Sequence, residues 1–381
     1  MRMSRRGQVD PFIVMDVMER ARAAEAEGRH IVHMEVGQPG TPAPKGARDA
    51  LRAAMDRGPL GYTVALGLPE LRSRIARHYG ERYGVDLDPA RVVVTAGASA
   101  GFVLAFSALF DAGDRVALGL PGYPSYRHIL KAMSLDPVGI QTRMENRFQP
   151  VPEEIPEDAA GLILASPGNP AGTMLDKEAL GALIEACAGR DVALISDEIY
   201  HGIDYERRPV SALELADDVY VVNSFSKYFS MTGWRIGWMV VPEAHVRMVE
   251  RLAQNMFICP SHASQVAALA SFDCREELEA NLAVYTANRE AMIEGLAEAG
   301  FSRFAPPDGA FYVYADVSDL TDDALALSAE ILDEAGVAVT PGLDFDPDRG
   351  GRMLRFSYAG STEEIAEGLA RLKRWREGRR A

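Results

Sequence analysis

From residue 91 onward the chain repeats a two-part pattern. Short runs of apolar, largely β-branched residues at 92–95, 115–118, 137–140, 162–165, 192–196, 219–222 and 236–241 are mostly separated by segments with helical periodicity. Runs of this length without polar alternation suit strands buried on both faces, and the intervening helices suit crossovers between parallel strands. The pattern predicts an α/β domain built on a seven-stranded, mainly parallel sheet sandwiched by helices.

Ahead of it, Phe12, Val14, Met15 and Met18 predict a helix over 11–28 that stops at Gly28, followed by a strand over 31–36. The prolines of GQPGTPAP, 37–44, remove amide donors and fix the backbone, so this stretch reads as a linker or a substrate-facing loop. Helical patterns over 45–57 and 69–83 flank a segment, 58–67, that holds Tyr62. Beyond about residue 275 the pattern changes to a long charged helix over 275–299, a strand over 311–315, a helix over 322–335, short strands over 337–339 and 353–357, and a closing helix from Thr362. These predict a smaller α+β domain. The expected division is a large domain, 42–275, and a small domain formed by 1–41 together with 276–381.

Composition narrows the partners. A net charge of -15 argues against nucleic acid or an anionic membrane, so any anionic ligand must be met by a local cationic pocket. Cys187, Cys259 and Cys274 are odd in number and lack CxxC spacing, which fits reduced cytoplasmic thiols better than a disulfide framework or a zinc site. Asp16 and Glu19 interrupt the N-terminal apolar run before it reaches signal-peptide length, and no stretch is long enough to span a bilayer. Asp344, Asp346 and Asp348 imitate the start of a calcium loop, but its sixth position is Arg349 and its twelfth Arg355, so no metal site is expected. They read as a solvated loop beside a substrate entrance.

The chemistry concentrates at NSFSKYFSMTGWRIGW, 223–238. Lys227 lies just after a predicted strand, where partial burial lowers an amine's pKa and frees it to attack a carbonyl. Ser224 and Arg235 add a hydroxyl and a planar fork of donors, a combination that holds a phosphate dianion. GASAG, 97–101, opens a predicted helix after a strand with small residues, which exposes amide donors to an anion. An aldehyde with a phosphate tail satisfies all of these. Tyr123 sits between prolines in PGYPSY, Asn169 in the turn SPGNPAG, and Asp197 at the end of a strand in ISDEIY, where it also reads as a helix N-cap.

SFSKYFSMTGWRIGW resembles the lysine motif of the class I/II aminotransferases, the pyridoxal-phosphate (PLP) enzymes of fold type I, and the likeness can be followed over most of the chain. It implies that Lys227 forms a Schiff base with PLP and that Asp197 holds the ring nitrogen in its protonated form. Tyr200 and Asn169 would bond the ring's phenolic oxygen, and Tyr123 would stack on the pyridine. Gly97, Ala98, Ser99, Ser224 and Arg235 would hold the phosphate. The resemblance also implies that Arg355, with Gly37 and Asn169, binds the substrate α-carboxylate, and that Tyr62 reaches the phosphate of a neighbouring subunit in a homodimer. The implied reaction is a ping-pong transfer of the amino group of an L-amino acid to a 2-oxo acid. No second cation can be assigned to a side-chain carboxylate; Phe12, Ile13, Gln38 and Tyr123 are expected around the substrate.

Other readings stay open at this level. Fold type I also hosts PLP-dependent C–S β-lyases. GASAG is also GxSxG, which would make Ser99 a hydrolase nucleophile, but the available histidines, His128, His201 and His262, are poorly placed in chain order. A non-catalytic PLP sensor fused to a DNA-binding module would need more than the forty or so residues that precede the large domain, and a different net charge.

Overall fold

Leu162, Ile163 and Leu164 are consecutive and all buried, which a strand achieves only between two layers. The computed structural model, which describes residues 2–380, places them at the centre of the large sheet. The chain reaches that sheet through α1 (Ile13–Ala26), β1 (Val32–His33), α2 (Lys45–Arg57) and α3 (Pro69–Tyr83). It then builds β2 (Val92–Thr95), α4 (Ala98–Leu109), β3 (Arg115–Leu120), α5 (Pro124–Ala132), β4 (Asp136–Gln141), β5 (Gly161–Ala165), α6 (Lys177–Ala188), β6 (Ala193–Asp197), β7 (Tyr220–Ser224) and β8 (Gly237–Val240). Helices α7 (Val246–Met256) and α8 (His262–Ser271) follow.

The sheet order is β2-β8-β7-β6-β5-β3-β4, parallel throughout except that β8 runs antiparallel to both neighbours. Side chains alternate between its faces. Val92, Val94, Leu162, Leu164, Leu194, Val221 and Trp238 join one core with α3, α6 and α8, while Val93, Ile163, Ile195, Val222 and Met239 join another with α4, α5 and α7. The seven-stranded, mainly parallel α/β sheet is the one expected.

The rest of the chain forms α9 (Arg275–Glu298), β9 (Tyr312–Asp316), α10 (Ala324–Glu330), β10 (Val337–Ala338), β11 (Thr340–Pro341), β12 (Met353–Ser357) and α11 (Thr362–Arg380). Strands β11, β12 and β9 make an antiparallel sheet, and β1 pairs in parallel with β10, so the N-terminal segment joins the C-terminal elements. Val32 and Met34 share a core with Met292, Val313, Phe356 and Leu369. Helix α9 crosses between the two bodies, with Leu278 in the large-sheet core and Tyr285, Met292 and Leu296 in the other. We propose the domain division at 41/42 and 275/276, beside that crossing.

Some element limits differ from the sequence pattern. Phe12 is the N-cap of α1 rather than part of it. The strand over 31–36 shortens to two residues because Met34 bridges two sheets, donating its amide to Ala338 O (2.9 Å) and accepting from Ser357 N (2.8 Å). The helix over 322–335 starts later, at Ala324, behind the N-cap Asp323, whose side chain accepts Ala326 N (3.0 Å), and it widens into a π-helical turn over Ile331–Ala335. No helix of the described residues is long and apolar enough to cross a membrane.

Glu198, next after β6, is fully buried. It accepts hydrogen bonds from Ala212 N (2.8 Å), Ser211 Oγ (2.9 and 3.0 Å) and Ser196 Oγ (3.3 Å). Burial pushes its carboxyl up from 4.5 to about 8. The folded chain therefore keeps a proton that the unfolded chain loses, and the stability from this group, complete below pH 4.5, is lost as pH rises towards 8. Glu198→Gln keeps the acceptor and removes the titration. In denaturant melts between pH 5 and 8 the wild type is expected to lose stability relative to this variant by up to about 1.4 kcal/mol per pH unit. Parallel curves would contradict the assignment.

Candidate active site

The parallel strands all end at one edge of the large sheet, and the loops leaving them carry the polar groups, as expected for open α/β sheets. They enclose a cavity of about 220 Å³ that is lined also by the N-terminal segment and by β9 and β12. Of the residues singled out from the sequence, Gly37, Ala98, Ser99, Tyr123, Asn169, Asp197, Tyr200, Lys227, Arg235 and Arg355 line it.

Lys227 lies on the connection between β7 and β8. Its Nζ donates to Gly37 O at 2.6 Å and sits 5.6 Å from the ring centre of Tyr200 and 5.8 Å from that of Phe311. Burial, reinforced by the charges of Arg355 and Arg235, pushes the amine down to about 8, while Asp197 pulls the other way. Gly37 cannot carry a side chain, because a Cβ there would fall 1.6 Å from the Tyr312 hydroxyl.

Asp197 closes β6 and is buried. Tyr126 donates its hydroxyl to Oδ2, and Ile199 N donates to Oδ1 at 3.0 Å. Burial raises its carboxyl to about 6 against the pull of these bonds and of Lys227. Among the described residues it has no ion-pair partner, so a cation brought beside it would be strongly favoured. The Tyr200 hydroxyl meets that of Tyr312 at 2.8 Å, and burial raises its pKa well above the usual tyrosine value.

Arg355 comes from β12, opposite Tyr314 of β9, and is buried. Its Nη1 donates to Asn169 Oδ1 at 3.0 Å, and its Nη2 to Glu35 O and to Thr340 Oγ1. Its Nε is buried without a partner, a donor left over for an anion. The guanidinium carbon lies 4.4 Å from the ring centre of Tyr312 and 4.7 Å from that of Phe345, so its plane is held by aromatic walls.

A second anion-binding corner forms where α4 begins. Its first-turn amides have no intrahelical acceptor. Gly97, the N-cap, has φ +79°, and a Cβ there would meet Arg235 Nη2 at 2.6 Å, so the missing side chain lets the guanidinium lie close to the turn. Arg235 itself holds a left-handed backbone, φ +50°, unusual for a residue of its size. Ser226 lines the cavity, but Ser224 does not. Ser224 Oγ is spent on Ser226 Oγ (2.8 Å), Ile236 O (3.0 Å) and Ser226 N (3.0 Å), because it closes β7 and turns into the base of the connection. Tyr62 also stays outside, 84% exposed on the surface of its own chain.

Other expectations need correction. Phe12 and Tyr123 line the cavity as expected, but Ile13 and Gln38 do not. Asp344 and Asp346 are buried rather than solvated, because both carboxylates accept backbone amides. Tyr126, Ser226, Tyr312, Val14 and Met15 were not anticipated. Tyr126 could have been found by helical spacing, since it follows Tyr123 by one turn at the start of α5. Tyr312 offered no local signal. Nor do the candidate histidines favour a hydrolase. None lines the cavity, and His201 is buried elsewhere against Tyr83 OH (2.7 Å) and Ser166 O (2.9 Å).

Comparison with known proteins agrees with this geometry. The family model described as Aminotransferase class I and II matches residues 29–372. The chain is 46% identical to the valine–pyruvate aminotransferase of Mycobacterium tuberculosis, over 98% of each protein. The crystal structure of a Silicibacter pomeroyi protein assigned as an aminotransferase shares 65% identity and superposes with a TM-score of 0.95, covering 99% of this chain and 100% of that one. The aspartate aminotransferase of Thermus thermophilus, crystallised with maleate, shares 31% identity with a TM-score of 0.92, covering 98% and 100%.

The buried amine gives a direct test. Labelling of the cofactor-free protein with formaldehyde and borohydride, read by peptide mass spectrometry, is expected to modify Lys227 with a midpoint near pH 8. Exposed lysines should follow a midpoint of about 10.4. A Lys227 midpoint indistinguishable from theirs would show that the amine is not desolvated.

Proposed function

This chain belongs to the class I and II aminotransferases, which work with pyridoxal 5'-phosphate, and on that premise we propose that it carries the amino group of an apolar L-amino acid to a 2-oxo acid in a ping-pong cycle. The observation that carries the substrate class is the inventory of cations. Among the described residues, Lys227, Arg235 and Arg355 are the only lysine and arginine side chains lining the cavity, and each has a role that leaves none for a side-chain carboxylate. One stretch of the wall, formed by Phe12, Val14, Met15 and Ile129, is apolar. The valine–pyruvate activity named for the Mycobacterium tuberculosis relative supports the same class.

The residues present fit the cofactor. Asp197 is a buried carboxylate lacking a cationic partner, which a protonated pyridine nitrogen would supply. Gly97, Ala98, Ser99, Ser226 and Arg235 would hold the phosphate, with Tyr123, Asn169 and Tyr200 around the ring. When bound, the cofactor supplies an aldehyde for the amine and an electron-withdrawing cationic ring.

Around it each side chain has a task. Arg355 fixes the α-carboxylate by its charge and its unpartnered Nε–H, with Asn169 and Gly37 beside it, and so orients the Cα–H bond. Lys227 Nζ removes the α-proton; an amine near pKa 8 is well matched to neutral pH for that step. Asp197 keeps the proton on the ring nitrogen. The apolar wall excludes water from the reacting carbon.

We place the enzyme in the cytoplasm as a homodimer. Tyr62 and Val64 are exposed beside Phe257 and Ile258, and their loop is tied to that segment by Thr63 N to Cys259 Sγ (3.4 Å) and His262 Nδ1 to Gly61 O (3.1 Å). An apolar patch of this kind suits a second copy, to whose phosphate corner Tyr62 would reach.

Single-turnover mixing of the cofactor-loaded enzyme with each amino acid tests the reading. L-valine is expected to discharge the cofactor absorbance at least about a hundredfold more efficiently than L-aspartate. Lys227→Ala is expected to slow the step by about 10²–10⁴-fold. Equal or better turnover of aspartate would overturn the apolar class, and ammonia released in place of an amino acid product would point to a lyase.

A further inference from the structure

We propose that Asp344 is a positioning residue for apolar donors: by holding the first turn of α1 it sets the wall formed by Phe12, Val14 and Met15. The proposal rests on the reading of that wall as the substrate side of the cavity.

Helix α1 has no cap of its own, since its N-cap is Phe12, and the amides of Ile13 and Val14 have no intrahelical acceptor. Asp344 meets them from across the chain, with Oδ1 accepting Ile13 N and Oδ2 accepting Val14 N, each at 3.1 Å. A carboxylate at this end also complements the helix dipole.

The far side of Asp344 is anchored to the large sheet. Arg127 of α5, itself buried, donates to Asp344 O at 2.9 Å and to Phe345 O at 3.2 Å. Gly122 N donates to Phe345 O at 3.0 Å. Nearby, Arg349 holds Asp346 and reaches Thr142 O and Leu120 O.

The body of α1 is fastened elsewhere. Val17, Ala21 and Ala24 pack with Ile31, Leu332 and Ala338, and Arg20 pairs with Asp333 at 2.6 Å. Upstream, Ile13 still packs on that cluster and Val14 is buried, but Met15 is 48% exposed and Phe12 only half-buried, touching Tyr123 edge-on at 6.0 Å. The first turn, which carries the wall, is therefore held by apolar contact on one side only and by the Asp344 tie at its open end. Asp10, paired at the surface with Lys131 (3.1 Å), is the only other charged contact there in the described residues.

Single-turnover kinetics with L-valine and L-alanine distinguishes positioning from general stabilisation. Asp344→Ala is expected to raise the half-saturating concentration of valine about tenfold with little change in the limiting rate. Alanine, whose methyl is too short to use the wall, should change less than twofold. Asp344→Asn, which keeps one acceptor, should give a smaller shift in the same direction and serves also if the alanine variant does not fold. Phe12→Ala should shift the valine-to-alanine ratio likewise, and the double variant should lose less than the two single losses combined, because part of what Asp344 positions is Phe12. In the cofactor-free protein, amide exchange over 13–16 should speed up in Asp344→Ala. Equal losses on both donors, or an unchanged ratio with faster exchange, overturn the proposal while Phe12→Ala still shifts the ratio. If Phe12→Ala leaves the ratio unchanged, the wall itself is misassigned and the proposal falls with it.

Discussion

An amine buried beside two guanidinium groups cannot easily stay protonated, and the site depends on that constraint. Arg355 and Arg235 repel a charge on Lys227, and burial removes the water that would stabilise it. Asp197 and the carbonyl of Gly37 offset part of the cost. Lys227 and Arg235 share one connection, but Asp197, Gly37 and Arg355 come from three other stretches, so the amine's chemistry depends on the strand ends, the N-terminal segment and β12 meeting at one point. The glycine at 37 and the tyrosine at 312 fit together only because one of them lacks a Cβ.

The two buried carboxylates that end β6 show how neighbours diverge. Asp197 faces the cavity with Lys227 nearby, and burial raises it only to about 6. Glu198, one residue on, points to the other side of the sheet, among hydroxyls and one amide, and rises to about 8. Alternation along a strand separates a group suited to meet a cation from one that stays protonated near neutral pH.

Much of the fold was legible because the strands of the large sheet, buried on both faces except at the edge strand β4, write themselves as short apolar runs, and all seven were found that way. Residues placed by a local strand–turn pattern, such as Lys227, Asp197 and Ser99, could be located from their own neighbourhoods. What could not be read is what depends on distant pairing. Ser224 turns into the base of the β7–β8 connection while Ser226 lines the cavity, a difference set by strand pairing that the sequence does not state. The acidic triplet looked solvated because Asp344 is used by amides about 330 residues away. Tyr312, Val14 and Met15 reach the cavity only through the packing of chain ends on the large sheet.

That long separation has a bearing on biosynthesis. The strands from β2 to β8 are all made once residue 240 has left the ribosome, and α7 and α8, which complete the cores on the two faces, follow by residue 271. The wall at the N-terminus must wait for Asp344, and the carboxylate site for Arg355. A nascent chain thus carries its first long helix unseated for almost the whole of translation, and the pocket closes well after the sheet beneath it has been made.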